Sequence, residues 1–161
     1  QRIGQKDNFI GYIEGWGEPY NYYVSALNKL GYVWGVHHLP HDGTHVRQGE
    51  IHNISPVQAL TNLGLKNFEV IPRVAEISHG IQATRDSFST CWFDTEKCKA
   101  GIVHLDSYRK KWNNTTSRFM DTPVHDIHSE CADAFRQFGQ FNGSGGLDVK
   151  QHESIDFSTE W

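Results

Sequence analysis

The chain has 161 residues, of which 37% are apolar, 12% aromatic and 21% charged; these amounts bound it to one globular domain and exclude a disordered polyelectrolyte. Fifteen Lys and Arg against 19 Asp and Glu leave a net charge of −4, so the total charge does not mark a nucleic-acid binder.

In chain order, strand-like and helix-like segments alternate, the pattern of an α/β layer structure. Residues 9–14 read as a short strand. Glu18-Pro19 opens a helix to Leu30, with Tyr20, Tyr23, Val24 and Leu27 on one face and Gly31 as its stop. Residues 32–39 read as the next strand, ended by Pro40. Ser55 as N-cap and Pro56 at the first helical position start a helix that Gly64 closes. Residues 67–71 form a third predicted strand, stopped by Pro72, and residues 75–89 a helix. Thr95 is the predicted cap of a helix to Ser107, and residues 108–113 read as extended. Ser129 is the predicted cap of the last helix, which runs to Gln140 with Glu130 in its first turn, where the helix dipole favours an anion. The Gly-Ser-Gly-Gly composition that follows predicts a flexible tail over residues 142–161, leaving residues 1–141 as the domain.

Charge is unevenly distributed along this scheme. Residues 141–161 carry net −3, whereas residues 97–120 carry net +5, with Tyr108 and Trp112 interleaved among Lys97, Lys99, Arg109, Lys110, Lys111 and Arg118. Such a stretch suits a phosphate-tracking surface, although a Lys-protected strand edge has the same composition. Cys91, Cys98 and Cys131 contain no close Cys-x-x-Cys pair, which argues against a disulfide scaffold or a four-thiolate zinc site and for a reducing, cytosolic setting. No apolar run is long enough for a membrane span, and no signal segment opens the chain. Because it begins at Gln1 and enters a patterned segment at once, the sequence is expected to be a piece of a longer polypeptide.

Three constellations could carry chemistry. Leu39-Pro40-His41-Asp42-Gly43 sets a carboxylate just past the end of a predicted strand, where ligand sites gather in open α/β sheets; an ordinary Asp-Gly turn reads the same. Asp126, Glu130 and Asp133 are spaced i, i+4, i+7, so a helix would stack them on one stripe, either as a solvated acidic face or with a divalent cation relieving their repulsion. Ten His offer a third candidate. His37, His41 and His45 could ligate zinc only from a helix, which Pro40 and Gly43 disfavour, and His37 and His38 in a strand point to opposite faces.

Together these pieces resemble the C-terminal nuclease domain of the terminase large subunit of tailed bacteriophages or prophages. The resemblance rests on Leu39-Pro40-His41-Asp42, Gly80-Ile81-Gln82-Ala83-Thr84-Arg85, Trp92-Phe93-Asp94 followed by Cys98, Leu105 with Tyr108-Arg109, and Pro123-Val124-His125-Asp126 running into Ser129-Glu130-Cys131-Ala132-Asp133-Ala134-Phe135-Arg136. These occur in the family's order across residues 9–138.

The resemblance implies an RNase H-like α/β fold, a central mixed β-sheet flanked by helices, and a metal-dependent endonuclease that cuts concatemeric double-stranded DNA. Asp42 and Asp133 would be catalytic ligands of two Mg²⁺ or Mn²⁺ ions, with Asp126 as a further candidate ligand. His41, His125 and His128 would stand behind the ligands or on the substrate side. Arg109, Lys110, Lys111 and Arg118 would contact DNA. Two cations roughly 3.5–4 Å apart activate the attacking water and stabilise the leaving oxygen of an in-line displacement, and hard oxygen ligands suit Mg²⁺ or Mn²⁺.

A first-strand Asp of the family would fall before Gln1, so the first strand is expected to be truncated. Asp7, read as part of a turn, is no substitute, and the fragment is expected to bind metal weakly and cut poorly. The ATPase domain would lie upstream, since no GxxxxGK[ST] loop occurs here. In the parent protein, the expected partners are the terminase small subunit and the portal or procapsid, in an oligomeric motor in the cytoplasm of the bacterial host. Two other readings remain: a catalytically silent DNA- or portal-docking module, and a His-rich zinc-stabilised structural domain.

Overall fold

Glycine and proline set most of the element boundaries in the computed structural model, which describes residues 1–46 and 53–143. Strands β1 (Arg2–Ile3) and β2 (Lys6–Phe9) precede helix α1 (Tyr20–Lys29). Pro19 is the N-cap of α1, and Gly31 leaves it at φ +66°, a left-handed turn that a Cβ disfavours. Strand β3 (His37–Leu39) leads through Pro40 to helix α2 (Pro56–Asn62), where the Ser55 hydroxyl accepts the Gln58 N–H at 3.2 Å and Gly64 at φ +99° follows the end. Strand β4 (Phe68–Val70) and helix α3 (Ile77–Ser87) come next, α3 tightening into a 3-10 turn at Phe88–Thr90. Strand β5 (Cys91–Phe93), helix α4 (Lys99–Ser107), strands β6 (Lys110–Asn113) and β7 (Arg118–Pro123), and helix α5 (Ile127–Gly143) complete the order.

The class is α/β, as expected, but the strands form three small sheets among the described residues. β2 pairs antiparallel with β1 and parallel with β5, β3 pairs parallel with β4, and β6 pairs antiparallel with β7. Most strands are only two to four residues long, short for a sheet, and no described strand joins β2 to β3.

Several local expectations shift for physical reasons. The first strand lies earlier than residues 9–14, so Asp7 sits inside β2 rather than in a turn. Only His37–Leu39 of residues 32–39 is a strand, because β4 offers three partners and Val33 stands wholly in solvent. Asp94, not Thr95, turns the chain ahead of α4: its carboxylate accepts the N–H groups of Glu96 and Lys97 at 3.1 and 2.9 Å. Residues 142–143 extend α5. The remainder of the expected tail, residues 144–161, lies outside the described residues.

Two apolar centres hold these layers. Phe9 of β2 stacks on Phe93 of β5 at 4.7 Å and meets Phe135 and Phe138 of α5 edge-on at 5.0 and 4.9 Å. Val24, Leu60 and Leu65 form the other, beneath Leu39 and Phe68. Each such burial contributes about 1.5–3 kcal/mol. Helix α5 crosses α3 closely: a Cβ on Gly139 would stand 2.5 Å from Thr84 Cα, so glycine is what allows the two backbones to meet. Among the described residues, no helix is long and apolar enough to cross a membrane.

Candidate functional site

Asp42 is presented by a turn whose every joint is fixed. The Leu39 carbonyl accepts the Ile71 N–H at 2.8 Å, Gly43 N–H donates to Pro40 O at 2.8 Å, and His45 N–H donates to Asp42 O at 2.9 Å. A side chain at Gly43 would come within 2.9 Å of Leu39 Cβ and 3.1 Å of Pro40 O. The Pro and Gly thus do what their sequence positions predict, and Asp42 stands half-buried beyond the C-terminal end of parallel strand β3.

On α5 the three carboxylates have separate partners. Asp126 Oδ1 accepts the His128 N–H at 3.0 Å, while the Ser129 hydroxyl accepts the Asp126 N–H at 3.2 Å. Asp126 is therefore the N-cap, and Ser129, the predicted cap, is its reciprocal partner inside the first turn. Desolvation opposes ionisation of Asp126, but the His128 N–H and the Arg109 guanidinium 3.2 Å away outweigh it and hold this carboxyl below its ordinary value. Glu130 lies 4.0 Å from His125 Nε2. Asp133 accepts both Nε and Nη2 of Arg136, at 3.2 and 3.0 Å. Arg109 and Arg136 thus offset the charges at the two ends of the stripe without a bound cation.

Beside Asp133 opens a cleft of about 670 Å³ between α3, the root of the β6–β7 hairpin and α5. Arg85, Arg109, Lys110 and Arg136 line it, against Glu76 and Asp121. Lys110 reaches Asp121 at 3.2 Å; Lys111 and Arg118 are exposed on the hairpin. Tyr108, also in the lining, has a buried hydroxyl with no hydrogen-bond partner among the described residues. Burial first, then the Asp133 carboxylate, push its ionisation up against the opposing pull of Arg136. It stays a neutral hydroxyl, with its proton available for donation.

The histidines are used elsewhere. His128 Nδ1 faces His104 Nδ1 at 2.9 Å, so one ring donates and the other accepts, and His104 Nε2 meets Glu14 at 3.0 Å. His125 contacts the Ser129 hydroxyl at 3.0 Å, and the exposed His41 ring stands 6.2 Å from that of His45. His37 and His38 alternate in burial along β3, as predicted. Among the described residues, no three His, Cys, Asp or Glu side chains gather where one ion could be held. The oxygen donors suit Mg²⁺ or Mn²⁺ chemically, but by themselves the described residues do not complete a metal centre.

Sequence pattern alone marks neither Arg85 nor Arg136 as a cleft cation, and the pairing of residues 110–113 with 118–123 was not among the expectations. The signal for that hairpin was present. Asn113 Oδ1 accepts the N–H groups of Thr115 and Thr116 at 2.9 and 3.2 Å, and Ser117 takes φ +47°, a side-chain turn between two β-rich runs. A comparison with protein-family models gives no match, nor do comparisons with curated proteins and with solved structures.

Proposed function

We propose that the chain is the RNase H-like nuclease portion of a phage or prophage DNA-packaging terminase, contributing Asp42 and Asp133 to metal-dependent hydrolysis of double-stranded DNA. The observation that carries this reading is the cleft beside Asp133, which Arg85, Arg109, Lys110 and Arg136 line together with Tyr108. These cations suit a phosphate backbone, with Asp126, Asp121 and Asp133 as the side chains that a phosphate would displace or share, and Arg85, Arg109 and Arg136 lie in the segments on which the terminase resemblance rests. The ion pair to Arg136 orients the Asp133 carboxylate at the cleft's edge, and the turn at Gly43 fixes Asp42. Two carboxylates are fewer than the chemistry calls for, and the resemblance places another in a strand before Gln1. In this reading the chain alone cuts weakly, and its partners are DNA, the small subunit and the portal.

The test is nicking of supercoiled plasmid in Mn²⁺ by a chain extended through that strand. Cutting is expected, with loss in Asp42→Ala and in Asp133→Ala. An inert extended chain, or cutting that both substitutions leave unchanged, contradicts the nuclease. Stoichiometric zinc in the purified protein would favour a structural domain instead.

A further inference from the structure

The hairpin of β6 and β7 carries two chemistries on one strip. Cross-strand partners project from the same face of an antiparallel pair, and Trp112 is in register with Phe119. Their rings meet edge-on at 4.9 Å, yet Trp112 is 46% exposed and Phe119 65%. Apolar rings of this size are ordinarily buried. Lys110 and Asp121 lie nearer the root, past an irregularity in the ladder, where they border the cleft that holds Arg85, Arg109 and Arg136. Lys111 and Arg118, each one position from a ring, project from the other face of the two-stranded ribbon and are exposed. An exposed aromatic platform thus continues outward from a line of cations.

Cations alone would serve a duplex, whose bases already stack on one another. Open ring faces among cations fit a polyanion whose own rings are available for stacking. We propose that the hairpin binds unpaired DNA, stacking bases on Trp112 and Phe119 while the long side chains of Lys111 and Arg118 on the ribbon's other face, and of Lys110 at its root, attract the phosphates and the cleft receives the strand as it continues. This inference rests on the reading of the chain as a DNA-binding protein, and names unpaired nucleotides as a form of DNA that it holds.

Fluorescence anisotropy of the full chain with a labelled thymidine oligonucleotide, and with a blunt duplex of the same length, tests it. Both DNAs are expected to bind. Trp112→Ala and Phe119→Ala should each weaken the oligonucleotide on the order of tenfold, the loss expected for one stacked base, with little change for the duplex and no change in salt dependence. Trp112→Phe should retain most of the affinity, because it keeps a stacking face. Lys111→Ala should instead lower the salt slope by about one for both DNAs. Aromatic substitutions that leave the oligonucleotide affinity unaltered, or that weaken both DNAs equally, overturn stacking while DNA binding stands. A chain that binds neither DNA overturns the DNA reading and the stacking with it.

Discussion

Asp7 shows how a single carboxylate holds the start of the chain. It is 5% exposed, accepts Arg2 Nε and Nη2 at 2.7 Å each, and takes a 3.1 Å hydrogen bond from Thr90. The Arg2 hydrogen bonds, against the cost of burial, hold its carboxyl below the ordinary value. The unfolded chain titrates near 3.9, so this stabilisation is complete above about pH 4 and is lost as the pH falls through the lower folded value. Asp7→Asn is expected to cost about 2 kcal/mol at neutral pH and to remove that part of the acid loss; an unchanged acid profile in denaturant titrations would contradict it. At the head of α5, Asp126→Ala should lower the melting temperature while Asp126→Asn, which keeps an accepting oxygen, should largely preserve it. Burial raises the Cys98 and Cys131 thiols above their ordinary range, so native protein should resist iodoacetamide at both positions until it is unfolded. Rapid labelling of the folded chain, read by mass spectrometry, would place them at the surface.

The contact between α3 and α5 depends on one absent side chain. A Cβ at Gly139 would meet Thr84 Cα at 2.5 Å and Thr84 N at 2.7 Å, and backbone cannot rotate away as a side chain can. Gly139→Ala should therefore force the helices apart at a cost of about 1–3 kcal/mol, whereas Gly35→Ala, with nothing within 4 Å of its Cβ, should be nearly neutral in thermal melts. The boundaries of α1 and α2 were legible in the sequence because Pro19, Gly31, Ser55 and Gly64 act through their own dihedrals and hydrogen bonds. Strand extents were less so. Residues 32–36 have strand-forming side chains, but pairing is decided by the length of β4 more than thirty residues away. At the start of α5 two good capping residues stand three apart, and sequence alone could not tell the cap from its reciprocal partner.

At the scale of the whole molecule, the Asp42 turn was readable from Pro40 and Gly43, while the cleft beside Asp133 was not. Arg85 of α3, Tyr108 before β6 and Arg136 of α5 meet there only through tertiary packing, which periodicity does not report. The division into three sheets has the same origin: each strand pattern is local, and its neighbour in the sheet is not. Asp42 follows β3 of one sheet, whereas Asp133 lies on α5, which packs on β5 of another through Phe93 and Phe135 and meets β3 where the Phe141 ring lies 4.2 Å from that of His38. Electron paramagnetic resonance of Mn²⁺ bound to a chain extended through the strand that the proposed nuclease reading places before Gln1 tests the convergence of Asp42 and Asp133 directly. Two magnetically coupled ions, roughly 3.5–4 Å apart, are expected, with the coupling lost in Asp42→Ala and in Asp133→Ala. Uncoupled ions, or coupling that survives both substitutions, would contradict a shared two-metal centre.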